Sequence, residues 1–377
     1  MIKKYTIGKK NDTEDKNDGS DYESDGGTKY TPKKVLGKGT SSRARLFTSK
    51  NNKKNKVVLD PIELSEIDER EIQNKFNFFK TLYSNQAELF RFEQKYYSDN
   101  ELETINNYRM ILPLVPGVPY NEVDLTDPNT QWSLLKSAVK AIKDCHKNKI
   151  IIIDIKGSNI HYDEKTGKSY LIDGGTSAKI GEAVFPEIFQ QDNNEKVKEK
   201  KALYRYLPPE CWSTKEVLAT PKMDIYSLFY MFALLQTKQK NKHPIIENLM
   251  IICCQQQPSI RPSLDEIEGL LENEKLQQIL LNLIDEYQTI SLNLSKENKN
   301  TLKEYLLETL LLVLRGKDEF EKEYTKIKQP IEKIDENIGT KYEELILEAL
   351  MCDNHRNFTY IEQLNDLANK IKKFALN

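Results

Sequence analysis

The 377-residue chain is poor in the side chains that build covalent or metal frameworks, with five cysteines and four histidines. Cys145, Cys211, Cys253, Cys254 and Cys352 form no C-x-x-C pair, which argues against a disulfide scaffold and a structural zinc site. A reducing compartment suits such usage, and the adjacent Cys253-Cys254 reads as core packing. An excess of either charge is also lacking: 56 Lys+Arg stand against 58 Asp+Glu, a net charge of -2. That balance excludes a general nucleic-acid coat, and no nucleic-acid partner is expected. Long apolar runs are missing too. The most apolar stretch, Leu306 to Leu314, is interrupted by Glu308 and is too short to span a bilayer. No apolar run follows the lysines of MIKKYTIGKKND, so no secretory signal is expected. These absences leave a cytoplasmic protein, or one held to a membrane by its surface.

Within residues 11–29 the only large apolar side chain is Tyr22, and residues 1–29 are expected to be a disordered tail. From residue 30 the texture changes. KKVLGKG, RARLFTS and KVVLD read as short strands, with a Lys/Asn turn before the last. Residues 62–83 read as a helix, with Ile72, Phe76, Phe79 and Tyr83 on one face. Residues 108–115 read as a buried strand closed by Pro116-Gly117, residues 130–147 as a helix, and Ile150 to Ile153 as a β-branched strand. HYDEKTGKSYLID reads as two strands around a Lys-Thr-Gly turn, and helices dominate beyond Met223. Strands first and helices after is an α+β pattern. Residues 275–377 read as a separate helical domain of several amphipathic helices with no repeat period.

The chemistry concentrates in Asp154-Ile155-Lys156-Gly157-Ser158-Asn159, followed 14 residues after Asn159 by Asp173-Gly174-Gly175. A strand ends in an aspartate, with a lysine and an amide close behind. A hairpin then returns a second aspartate beside two glycines. Two carboxylates, an amide and an ammonium around one small space suit a divalent metal, phosphate charge and a hydroxyl proton. Phosphoryl transfer needs those parts, because positioning and electrostatics do most of its catalysis.

D-I-K-G-S-N resembles the D-x-K-x-x-N catalytic loop of eukaryotic-like protein kinases, and D-G-G resembles their metal-binding D-F-G. Other pieces follow in order. Leu36-Gly37-Lys38-Gly39 resembles the glycine-rich loop, with Ser42 in the third glycine's place, although Gly37 and Gly39 alone also suit an ordinary hairpin turn. Leu207-Pro208-Pro209-Glu210 resembles A-P-E, Asp224 to Leu228 resembles the segment opening the buried central helix, and Arg261 matches the arginine that pairs with Glu210. His146 reads as structural.

The resemblance implies a bilobal kinase-like fold with a β-rich N-lobe over 30–115 and a helical C-lobe over 116–274. It implies that Asp154 orients and deprotonates an acceptor, that Lys156 neutralises the transferring phosphate, and that Asn159 and Asp173 hold Mg²⁺ or Mn²⁺. ATP would lie under Gly37 and Gly39 and against Ala44, Val58 and Leu112.

The sequence also departs from the family pattern. Asp60 stands where the nucleotide-binding lysine of the third strand is expected, so a displaced cation is expected from Arg45 or Lys56. Glu71, or secondarily Glu69, is the expected helix glutamate. Ile152-Ile153 replaces His-Arg before Asp154, and no Ser or Thr occurs from Ala178 to Trp212. Both features argue against switching by loop phosphorylation. Gly174 removes the aromatic side chain of D-F-G. Such stripping of regulation resembles the kinases that intracellular bacteria inject into host cells, for which a Lys/Asn/Ile/Glu-rich composition is compatible.

The expected function is an atypical serine/threonine protein kinase. Its protein substrate would belong to a host if the chain is an effector secreted into host cytoplasm. A kinase-fold enzyme acting on a lipid and a catalytically dead scaffold remain alternatives. Residues 275–377 are expected to dock on the catalytic domain or bind a partner or membrane lipid.

Overall fold

The computed structural model describes residues 22–23, 29–38, 43–49, 55–59, 62–63, 69–83, 87–98, 101–184, 204–213, 216–274, 277–278 and 281. Most of the expected N-terminal tail and nearly all of the expected C-terminal helical domain lie outside these residues. Strands come first and helices after, so the chain is α+β and bilobal.

The first lobe is a seven-stranded antiparallel sheet. Its strands are β1 (Tyr22–Glu23), β2 (Lys29–Lys38), β3 (Arg43–Ser49), β4 (Asn55–Leu59), β5 (Ile62–Glu63), β6 (Glu88–Ser98) and β7 (Glu101–Pro113). Tyr22, the one large apolar residue of 11–29, pairs with Tyr30, so the sheet begins inside the expected tail. The strand expected over 108–115 is the end of a much longer hairpin, β6–β7. Phe90, Phe92 and Tyr96 recur at even spacing among polar residues there, the period of a strand.

Helix α1 (Glu69–Leu82) is shorter than the expected 62–83, because Ile62–Glu63 pairs with Tyr108 and Asn107 as a strand. Glu69 and Glu71 in its first turn and Lys80 in its last suit the helix dipole. Ile72, Phe78 and Phe79 are its buried residues.

The second lobe is built on α2 (Pro128–Lys147), α3 (Pro221–Gln236), α4 (Pro244–Cys253) and α5 (Leu264–Glu272). Asp127 caps α2 by accepting from the Asn129 amide, and Pro128 opens the helix. Helix α3 is apolar around its circumference and lies in the core, with Ile225, Leu228, Phe229 and Phe232 buried. Cys253 is fully buried among the same side chains. Strands β10 (Ile160–Asp163) and β11 (Lys168–Leu171) form the expected hairpin, with β8 (Val118–Pro119) beside them.

Arg261 is the largest fully buried side chain and forms a two-pronged pair with Glu210, at 2.7 and 2.8 Å. The guanidinium also donates to the carbonyls of Gln255, Lys222 and Gln256 and lies 4.9 Å from the Tyr226 ring. With its donors met, the buried charge is tolerated, whereas removing one partner strands the other. Arg261→Met is expected to lower stability by about 3–5 kcal/mol, measured by urea denaturation followed by circular dichroism.

Candidate active site

The segment before Asp154 is held by a buried carboxylate. Asp224, at the start of α3, accepts from the Ile152 amide at 2.9 Å and from the Ile153 amide at 2.7 Å. His146 Nε2 lies 2.8 Å from Oδ2 of the same carboxylate, the oxygen that also accepts from the Ile152 amide. Ser227 Oγ donates to the Ile153 carbonyl at 2.9 Å. The Ile150–Ile153 run was expected to be a strand, but only β9 (Ile150–Ile151) is one. Ile153 adopts a φ of 69°, a conformation that a β-branched residue strongly disfavours. The bonds to Asp224 and Ser227 offset that strain and turn Asp154 into the site.

Lys156 Nζ donates to Asp154 Oδ2 at 2.7 Å, and Asn159 Nδ2 donates to the Asp154 carbonyl at 3.2 Å. Asp154 Oδ1 is buried and has no hydrogen-bond partner of good geometry among the described residues. The hairpin supplies the second carboxylate. Ile160 pairs with Leu171, and the Ile172 amide donates to the Asn159 carbonyl at 2.9 Å, which brings Asp173 back alongside Asn159.

Among the described residues no group of three His, Cys, Asp or Glu side chains converges on a metal site. A small cation that keeps water and phosphate oxygens needs fewer protein ligands, and one amide with one carboxylate fits Mg²⁺ chemistry.

Helix α1 lies along the D-G-G segment and meets it residue by residue. Tyr83 donates its hydroxyl to the Leu171 carbonyl at 2.6 Å. Lys75 Nζ lies 3.1 Å from Asp173 Oδ1, which also accepts from the Gly175 amide at 3.2 Å. The ring of Phe78 covers Gly174 so closely that a Cβ there would sit 2.6 Å from Phe78 Cβ. Glu71 takes the same place over Gly175, where a Cβ would lie 2.9 Å from its Oε1. The aromatic ring expected from the loop is therefore supplied by the helix. Glu69 is turned elsewhere and accepts from the Tyr108 hydroxyl at 2.5 Å.

The sheet register divides the residues expected at the nucleotide between two faces. Arg45 pairs with Val58, Phe47 with Lys56, and Val58 with Ile111. Cross-strand partners share a face, and Phe47, Val58 and Ile111 form a cluster of their own. Val58, Arg45 and Lys56 thus belong to the face away from α1. The inner face carries Ala44, Val57, Leu59 and Leu112, which join the main core with Ile72 and Leu171. Ala44 and Leu112, both expected at the nucleotide, share the inner face with Val57, whereas Val58 does not. Gly37 pairs with Ala44 at the end of β2, while Gly39 and Asp60 lie outside the described residues.

On the opposite flank Tyr206 closes over the catalytic loop, its ring 5.8 Å from Lys156 Nζ. Burial, then the neighbouring Asp154 carboxylate, push its phenol far above the usual range. The position before Asp154 is apolar: Ile151 and Ile153 pack with Cys211, Ala219 and Met223.

The sequence model of the family described as "Protein kinase domain" matches residues 30–287, more than half of the chain. The chain therefore belongs to the protein kinase domain family, whose members use ATP and a divalent metal. Similar curated proteins include Myosin-IIIa of Mus musculus and of Homo sapiens, each 29% identical over 156 residues. These alignments cover 39% of this chain and 9% of the relative, so the chain spans a small part of those proteins. The family match runs past the boundary expected at residue 274.

Two residues of this site escaped the sequence reading, Lys75 and Phe78. A signal for both was present: they recur with Glu71 and Leu82 at helical spacing, beside the apolar stripe of Ile72 and Phe79. Gly174→Phe is expected to collide with Phe78 and lower the melting temperature, while Gly174→Phe combined with Phe78→Ala recovers most of the loss. Thermal unfolding of the two single variants and the pair reads this coupling.

Proposed function

We propose that the protein is an ATP- and Mg²⁺- or Mn²⁺-dependent serine/threonine protein kinase that is not switched by phosphorylation of its activation loop. The observation that carries this reading is the buried Oδ1 of Asp154, an acceptor with no hydrogen-bond partner of good geometry among the described residues, beside Lys156 and Asn159. In this reading Oδ1 takes the proton of an acceptor hydroxyl and orients its oxygen. Lys156, anchored on Oδ2, counters the charge of the group in transfer. Asn159 and Asp173 hold the metal, which when bound neutralises phosphate charge.

Freedom from loop phosphorylation is supported by the apolar packing of Ile153, where a phosphate-gripping arginine would otherwise stand, and by the lack of Ser and Thr between Ala178 and Trp212. The resemblance to kinases injected by intracellular bacteria extends the proposal to a host protein substrate, with residues 275–377 as a docking element for a partner or a lipid. The ion pair between Lys75 and Asp173 favours a second reading, a binding scaffold whose metal ligand is occupied by an ammonium.

Incubation with labelled ATP and Mg²⁺ or Mn²⁺, offered Ser, Thr and Tyr peptides and phosphoinositide vesicles, separates these readings. Transfer to Ser or Thr peptides is expected, with Asp154→Asn slower by about 10²–10⁴-fold. Labelling of lipid alone would replace the substrate assignment, and no transfer to any acceptor would leave the scaffold. Phosphatase pretreatment is expected to leave the rate unchanged. A large loss mapped by mass spectrometry to Thr176, Ser177, Tyr204 or Tyr206 would overturn the regulatory part. Calorimetry of Asp173→Ala is expected to show Mg²⁺-dependent ATP affinity lost.

A further inference from the structure

A nucleotide triphosphate brings several negative charges, and a transfer site offsets them with metal and fixed cations. Among its described residues, the strand β4 on the nucleotide side of this reading provides no such cation. Its inward residues are Val57 and Leu59, both in the main core, and the basic side chains of Arg45 and Lys56 share the opposite face with Val58 and Phe47. Lys156 is committed to Asp154, at the transfer end of the site.

Lys75 is placed differently. It sits in the middle of α1, between Glu71 and Phe78, on the side of the helix that covers D-G-G. Its side chain is only 17% exposed, and Nζ lies 3.1 Å from Asp173 Oδ1. A lysine in an amphipathic helix ordinarily carries its ammonium out to water. Holding this one inside requires a compensating partner, here the carboxylate assigned to the metal.

We propose that Lys75 is the phosphate-binding cation of this protein, delivered from the helix instead of the strand; the proposal rests on the reading of the site as an ATP site. Metal and phosphates both belong beside Asp173, and a cation already within hydrogen-bond distance of that carboxylate lies beside both. The same helix face supplies Phe78 to the space over Gly174, so the ring and the charge of this site come from α1 together.

The test is binding by calorimetry, on the full chain, of ATP and ADP with Mg²⁺ and of adenosine, in wild type, Lys75→Met and Lys75→Arg. A phosphate contact predicts that Lys75→Met weakens ATP and ADP by about 10- to 100-fold, leaves adenosine unchanged, and is largely rescued by Lys75→Arg. Unchanged ATP affinity in Lys75→Met would overturn the assignment while leaving the kinase reading in place. Equal weakening of adenosine and ATP with a lowered melting temperature would also overturn it, because Lys75 would then serve only to tether α1. Wild-type protein that binds neither ATP nor ADP would overturn the ATP-site reading itself, and this proposal with it.

Discussion

The carboxylate of Asp224 is fully buried, and burying a charge is costly unless every lone pair finds a donor. Here the donors are the amides of Ile152 and Ile153 and the ring of His146. The start of α3 is tied at that one group to the end of α2 and the loop after β9, some 72 residues earlier in the chain. The tie holds Ile153 at a positive φ, and that twist aims the next residue, Asp154, away from the core and toward Lys156 and Asn159. Without it the loop would relax toward the strand that its β-branched residues favour, and Asp154 would leave the site.

The second constraint is the contact between α1 and the D-G-G segment. Packing conserves volume, so a ring is needed at that contact but either partner can provide it. Gly174 gives none and Phe78 fills the space, which makes the helix and the loop mutually dependent. The charges follow the same logic, with Lys75 on α1 facing Asp173 on the loop. A helix held by a ring, an ion pair and the Tyr83 bond to Leu171 has little room to swing outward. The apolar cluster around Ile151 and Ile153 likewise packs against Ala178, Val184 and Leu207. The strand Ala183–Val184 extends this by pairing with Val217–Leu218, and Arg70 reaches from α1 to the Ala183 carbonyl at 3.4 Å. These contacts are in keeping with the proposed mode of regulation, in which no phosphate orders the site.

The sequence by itself determined the parts whose chemistry is local. Asp154, Lys156 and Asn159 lie within six residues, and the Lys-Thr-Gly turn returns Asp173 toward them, so spacing announced their proximity, while the tie to Asp224 aims Asp154 among them. The α+β order and the helices of the second lobe were legible for the same reason, since hydrophobic period and turn residues act over short range. Glu210 and Arg261 were legible through motif order, although they stand 51 residues apart.

What only the tertiary structure decided is which way side chains point across the cleft. A strand alternates faces with every residue, so a misjudgement of one position sends Val58, Arg45 and Lys56 to the far side and brings Val57 to the near one. Lys75 and Phe78 have no motif to announce them, because their meaning lies in the emptiness of Gly174 and the charge of Asp173, nearly a hundred residues away. Complementarity between distant segments is a property of packing, and a linear pattern carries no measure of it.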